Sequence, residues 1–213
     1  MSFQDEIETR CAACAESFEA PVWSLVAGDD ETLRNQIKAR ECNLLLCPHC
    51  GEAVMPDSPW IYYEPAAEIL AFVFPESWSG DGARWRERLD GDLAKMRSAL
   101  GERLPADLEP EVFFGQEGLG ALLEAQDWRA DERDVMAYYA KDLGLSVLKV
   151  RPSWARARRV PSELPFRGSA PTREALIAGL RELVAANDRL TAWSEFLAAY
   201  EKDAGAGVPP AAR

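Results

Sequence analysis

Four of the five cysteines of this 213-residue chain fall into two C-x2-C pairs, Cys11-Ala-Ala-Cys14 and Cys47-Pro-His-Cys50, separated by 32 residues. Two residues between cysteines let one tight turn present both sulfurs to a single ion, and two such turns complete a tetrahedron around Zn²⁺. The gap is longer than the usual 15–20 residues. A helix inserted between two strands accounts for the excess without separating the turns. Gly51 follows the second pair and supplies the permissive backbone such a turn favours. Cys11, Cys14, Cys47 and Cys50 are therefore the candidate metal ligands. Four thiolates fill a tetrahedral site and keep no position open for a substrate, so the expected role is structural.

Other uses of these thiols have different requirements. A disulfide framework belongs to oxidising compartments. A thiol–disulfide oxidoreductase using Cys47 and Cys50 is the alternative enzymatic reading, because the Pro-His dipeptide resembles that of strongly oxidising thioredoxin-fold proteins. That chemistry needs the motif at a helix N-terminus, which lowers the thiol pKa. Here Gly51, Pro56 and Pro59 follow, which is poor helix sequence. His49, the single histidine, reads as a solvated residue of the turn, and Cys42 as a small buried apolar residue. One histidine excludes mechanisms that need two. The chain has no phosphate-cradling Gly-Lys-Ser/Thr loop and no Gly-x-Ser-x-Gly elbow, and Gly115, Gly118 and Gly120 stand in the wrong order for a dinucleotide fingerprint.

Hydrophobic patterning predicts an α+β protein: an N-terminal four-cysteine zinc ribbon with an inserted helix, then a mostly helical C-terminal half. Phe18–Val26 reads as a strand, and Asp29 and Asp30 can cap a helix over Glu31–Arg40. Trp60–Tyr63 and Ile69–Phe74 read as strands around the turn Glu64-Pro65-Ala66-Ala67. Trp85, Leu89, Leu93, Met96 and Leu100 mark an amphipathic helix. Val112–Phe114 reads as a short strand, Gln116–Gln126 and Asp131–Leu143 as two helices, and Leu145–Val150 as a strand. The expected organisation is a ribbon core over 8–76, a helical extension over 77–150 that either stands apart or completes the same domain, an Arg/Pro-rich extended connector over 151–171, a long helix over 172–203 capped by Thr172, and a disordered tail over 204–213.

Taken together, the first cysteine pair, the following strand, the acidic turn, the helix ending in Arg40-Glu41-Cys42-Asn43, the apolar Leu44-Leu45-Leu46, Cys47-Pro-His-Cys50-Gly51 and the tyrosine-bearing Ile61-Tyr62-Tyr63-Glu64-Pro65 form a pattern. It resembles the CpXC domain family of bacterial and archaeal proteins, named for two Cys-Pro-x-Cys motifs. The resemblance covers about residues 8–76, and Leu119–Leu143 is similar to the family's later helical part. It implies a zinc site at Cys11, Cys14, Cys47 and Cys50 and assigns no reaction. Two positions depart from the pattern: Ala12 stands where the family has proline, and Ala15 where glycine is common. Both imply a looser first half-site.

Net charge bounds the partners. The formal charge is −12, against a general nucleic-acid binder, which needs a basic face. The charge is uneven: residues 1–75 carry 4 basic and 13 acidic groups, residues 151–213 carry 10 and 7. Arg151, Arg156, Arg158, Arg159 and Arg167 surround Trp154 and form a basic, aromatic-bearing segment able to meet phosphates and stack a base; pairing with the protein's own acidic groups is the expected use. Nucleic-acid binding through the ribbon or this segment is thus a further alternative, and a protein partner is the leading expectation. Leu176, Leu183, Leu190 and Leu197 recur every seven residues, but Asn187 and Ser194 occupy the companion positions, so the C-terminal helix is expected to pack within the chain or support a modest homodimer. The dense charge of Asp127–Asp134 reads as a solvated helix surface. Met1–Arg10 is acidic and polar, unlike a secretory signal, and no apolar run approaches the ~20 residues of a membrane span. A cytoplasmic protein is expected, where thiols stay reduced.

Overall fold

The computed structural model describes residues 1–212, which fall into two compact units, Met1–Glu124 and Ala125–Arg213. The first is built on a five-stranded sheet. Strands β1 (Phe3–Arg10), β2 (Ser17–Ala27), β5 (Trp60–Glu64), β6 (Ile69–Phe74) and β7 (Glu111–Phe114) lie side by side in that order. The β1–β2 and β5–β6 pairs are antiparallel, and the β2–β5 and β6–β7 pairs are parallel. A two-stranded hairpin of β3 (Leu45–Leu46) and β4 (Ala53–Val54) stands apart from this sheet.

Period-two patterning explains why both faces are covered. β6 reads Ile-Leu-Ala-Phe-Val-Phe, and all six side chains are buried. Ile69, Ala71 and Val73 join Val26, Trp60 and Tyr62 on one face, covered by Leu33 and Ile37 of α1 (Glu31–Ala39) and by Leu119 and Leu123 of α3 (Glu117–Asp142). Leu70, Phe72 and Phe74 point the other way, against Trp85, Leu89, Leu93, Met96 and Leu100 of α2 (Gly82–Leu100). Those are the five apolar positions whose 4-4-3-4 spacing marks the helix. α1 starts where expected: the Asp30 side chain accepts from the Leu33 N–H at 3.1 Å, and the helix ends on Arg40 in the left-handed region. β1 has no counterpart in the sequence reading, because its charged, alternating sequence resembles coil; it is an edge strand, where charge is the usual protection.

The second unit packs the rest of α3, a hairpin of β8 (Ser146–Lys149) and β9 (Glu163–Phe166), and helices α4 (Pro152–Arg158), α5 (Arg173–Ala186) and α6 (Thr191–Lys202) around Met136, Leu164, Leu176, Leu180, Leu183 and Trp193. Four expectations are corrected in the helical half. The two helices expected over 116–126 and 131–143 are one, because the charged stretch between them has no glycine or proline to stop it. Residues 151–171 are not an extended connector: Pro152 opens α4 at the first helical position, where its missing N–H costs nothing, and β9 follows. The helix expected over 172–203 is two, broken where the Asn187 side chain accepts from the Arg189 N–H at 3.0 Å, a local bond that competes with helical continuation. The tail is tied down: Arg151 N–H donates to the Pro210 carbonyl at 2.9 Å, and Ala212 N–H to the Lys149 carbonyl at 2.8 Å. Arg213, the last residue of the segment expected to be disordered, lies outside the described residues.

Thr172 does cap α5 through the Ala175 N–H. Leu176, Leu183 and Leu190 of the heptad stripe are all buried in this unit's own core. The arginine-rich segment is engaged as well: Arg158 lies over the Trp154 ring, 4.5 Å from its centroid, and the Arg167 guanidinium pairs with Glu182. No helix among the described residues is long and apolar enough to cross a membrane.

Candidate metal centre

The two C-x2-C pairs occupy the tips of two hairpins. Cys11 and Cys14 lie in the turn between β1 and β2, and Cys47 and Cys50 in the turn between β3 and β4. The turns repeat one another bond for bond. Cys11 N–H donates to the Glu16 carbonyl at 2.9 Å and Ala15 N–H to the Cys11 carbonyl at 2.9 Å. Likewise Cys47 N–H donates to the Glu52 carbonyl at 2.9 Å and Gly51 N–H to the Cys47 carbonyl at 2.8 Å. The residue after each pair sits in the left-handed region, Gly51 at φ 78° and Ala15 at φ 62°. Glycine adopts that conformation freely and alanine does not. In the first turn Arg10 Nε donates to the Ala15 carbonyl at 2.9 Å and helps to hold it.

All four sulfurs lie within 4.8 Å of one another. The Cys11–Cys50 and Cys14–Cys47 separations are 3.6 and 3.7 Å. A disulfide would need about 2.05 Å. A tetrahedron with metal–sulfur bonds of about 2.3 Å has edges of about 3.8 Å. The sulfurs thus have the spacing of a cation cage and not of an oxidised pair. A small apolar shell of Phe18, Leu45 and Val54 packs around them.

The thiols share one electrostatic problem, since four negative charges this close repel. The Cys14 backbone N–H, above all, pulls Cys11 down to about 7. Cys14 and Cys50 each accept a favourable backbone N–H, from Glu16 and Glu52, but desolvation and the neighbouring thiols outweigh it. Cys14 is raised, and Cys50 reaches about 12. A bound divalent cation removes that conflict and lets all four ionise.

What brings the turns together is not legible in the motif. Asn43, at φ 62°, stands in for a neighbouring strand: its Nδ2 donates to the Trp23 carbonyl at 2.9 Å, and its Oδ1 accepts from the Trp23 N–H at 2.7 Å. It pins the exit of α1 to β2, so the second hairpin sits beside the first. An asparagine followed by an apolar run carries only a weak signal of this, its tolerance of positive φ. Cys42 is wholly buried and burial alone pushes its thiol up to about 12; it lies in the core against α1 and outside the four-sulfur cluster. Cys47-Pro-His-Cys50 opens no helix, so it lacks the dipole that activates thioredoxin-type thiols.

A mixed sheet with an inserted helix and paired cysteine turns on adjacent hairpins defines a four-cysteine-knuckle α+β protein. The chain belongs to the CpXC family: the family model, described as CpXC protein, matches residues 9–119, more than half of its length. That span includes all four clustered cysteines. No curated protein and no solved structure matches the chain.

Proposed function

We propose that Cys11, Cys14, Cys47 and Cys50 hold one structural Zn²⁺ per chain, and that the protein is a cytoplasmic interaction module. The observation that supports this most is the 3.6–3.7 Å sulfur spacing across two hydrogen-bonded turns of identical pattern. Zinc is favoured because it takes four thiolates in tetrahedral geometry without redox chemistry. It would fasten the β1–β2 hairpin to the β3–β4 hairpin, whose two-residue strands bury too little surface to hold themselves. With four protein ligands there is no open position for catalysis at the metal. The zinc-held hairpin presents the exposed apolar side chains Leu44, Leu46 and Met55, a surface suited to a protein partner.

The test is the metal content of protein purified without chelator, beside the Cys47→Ser variant, with unfolding of both followed. One zinc per chain, lost in the variant together with structure around the hairpins, is the expected result. Metal-free protein with an intact fold and a reactive Cys47–Cys50 pair overturns the reading and favours thiol–disulfide chemistry.

A further inference from the structure

Some arginines of the second unit find carboxylates within it: Arg167 pairs with Glu182, and Arg181 with Glu201. Others do not. Arg159 forms no ion pair among the described residues, and neither do Arg129 and Arg133 of α3. These three, with Arg156, line one pocket of about 130 Å³ that opens to solvent. Four arginines against the single carboxylate of Glu132 leave the lining strongly positive. Like charges held together cost free energy, and a cleft lined by one sign concentrates ions of the other.

The pocket differs from a basic patch on an open surface. Arg133 and Arg156 are half-buried, and Arg133 Nη1 donates to Ser162 Oγ at 3.4 Å, which brings its guanidinium to the pocket wall. Arg129 and Arg159 are exposed and free to swing onto a bound group. The first turn of α6 lines the same space through Ala192 and Trp193, and no side chain caps that helix. Its N–H groups add to the positive potential of the arginines. The volume is close to the ~150 Å³ at which a cavity accepts a benzene ring, so the pocket takes one compact group. Trp154, the aromatic on which a base would stack, has Arg158 over its ring and is not part of the lining.

We propose that this pocket binds a phosphate monoester, whose oxygens accept from the guanidinium N–H groups of Arg129, Arg133, Arg156 and Arg159. A phosphoryl group brings about −1.5 to −2 charge and three acceptor oxygens. A carboxylate brings two oxygens and one charge, too little for donors from four arginine forks. A free phosphorylated small molecule and a phosphorylated side chain share this chemistry. The proposal is independent of the zinc reading, since no residue of the pocket belongs to the four-sulfur cluster or to the span the family model matches.

The experiment uses the full chain as purified, in phosphate-free buffer, with arginine side chains ¹⁵N-labelled. It is titrated with O-phosphoserine, with the blocked peptide acetyl-Ala-phosphoserine-Ala-amide, with the same peptide unphosphorylated, and with an oligothymidylate. The expected result is saturable binding of at least one monoester with a shifted Arg133 Nε resonance. Binding is weakened at least tenfold in both Arg133→Gln and Arg159→Gln and is unchanged in Arg97→Gln, which removes an exposed charge from α2. Binding of O-phosphoserine points to a small molecule, and binding of the phosphopeptide alone to a phosphorylated segment of a protein. Arg159→Gln alters an exposed side chain and keeps the test valid if Arg133→Gln fails to fold. No shift with either monoester at millimolar concentration, equal binding of the unphosphorylated peptide, an equal loss in Arg97→Gln, or tighter binding of the oligothymidylate overturns the proposal.

Discussion

Ala15 and Gly51 hold equivalent positions in two turns with the same hydrogen bonds, yet only one of them suits its backbone. An L side chain in the left-handed region costs about 1–2 kcal/mol, partly offset because alanine loses less freedom on folding than glycine. Ala15→Gly is therefore expected to stabilise the protein by about 0.5–1 kcal/mol, read as a higher denaturant midpoint at unchanged slope. The departure at Ala15 is visible in the sequence; its physical meaning, a strained residue that closes a cysteine turn, needs the φ angle. Arg133 is the converse. In a stretch that reads as a solvated helix surface it carries no signal of a pocket, and only its reach to Ser162 marks it out.

At the scale of elements, α5 lies on β9 through a glycine. A Cβ on Gly179 would stand 2.6 Å from Phe166 Cα and 2.7 Å from the Pro165 carbonyl oxygen, both backbone atoms that cannot swing aside. Alanine is the better helix former by about 1 kcal/mol, but here the steric term wins. Gly179→Ala is expected to destabilise the protein by about 1–3 kcal/mol, measured by equilibrium unfolding; a neutral or stabilising result would show that the helix can lift away freely. The elements most legible in sequence are those with a clear period, such as β6 and α2. Those that sequence misreads are decided by single residues. Pro152 reads as a breaker and instead starts a helix; Asn187 reads as part of a helix and instead ends one.

For the whole molecule, each unit has its own core. Met136, Leu164 and Trp193 belong to one apolar cluster of the second unit, and Val26, Ile37 and Tyr62 to one of the first. Metal loss should act where the sulfurs are. Chelation is expected to release amide exchange at Cys11, Ala15, Cys47 and Gly51, whose N–H groups close the two turns, while Leu164 and Phe166 of the β8–β9 hairpin keep their protection. Loss of protection throughout would show that the metal supports the entire chain. The metal proposed for this site should also leave as the pH falls, measured as metal released into the filtrate, because each thiol must be deprotonated to bind.

Sequence alone determined the metal-ligand candidates, the α+β class and the family, because C-x2-C spacing is local geometry and hydrophobic period is a local pattern. It also placed the inserted helix, through the Asp30 cap and the Leu33–Ile37 face. Tertiary structure alone decided the rest. It set the order of five strands in a mixed sheet, the Asn43–Trp23 bridge that puts the hairpins side by side, and the pocket where Arg133 and Arg159 meet the start of α6. Each of these joins residues far apart in the chain, and no local spacing encodes which distant partners will meet.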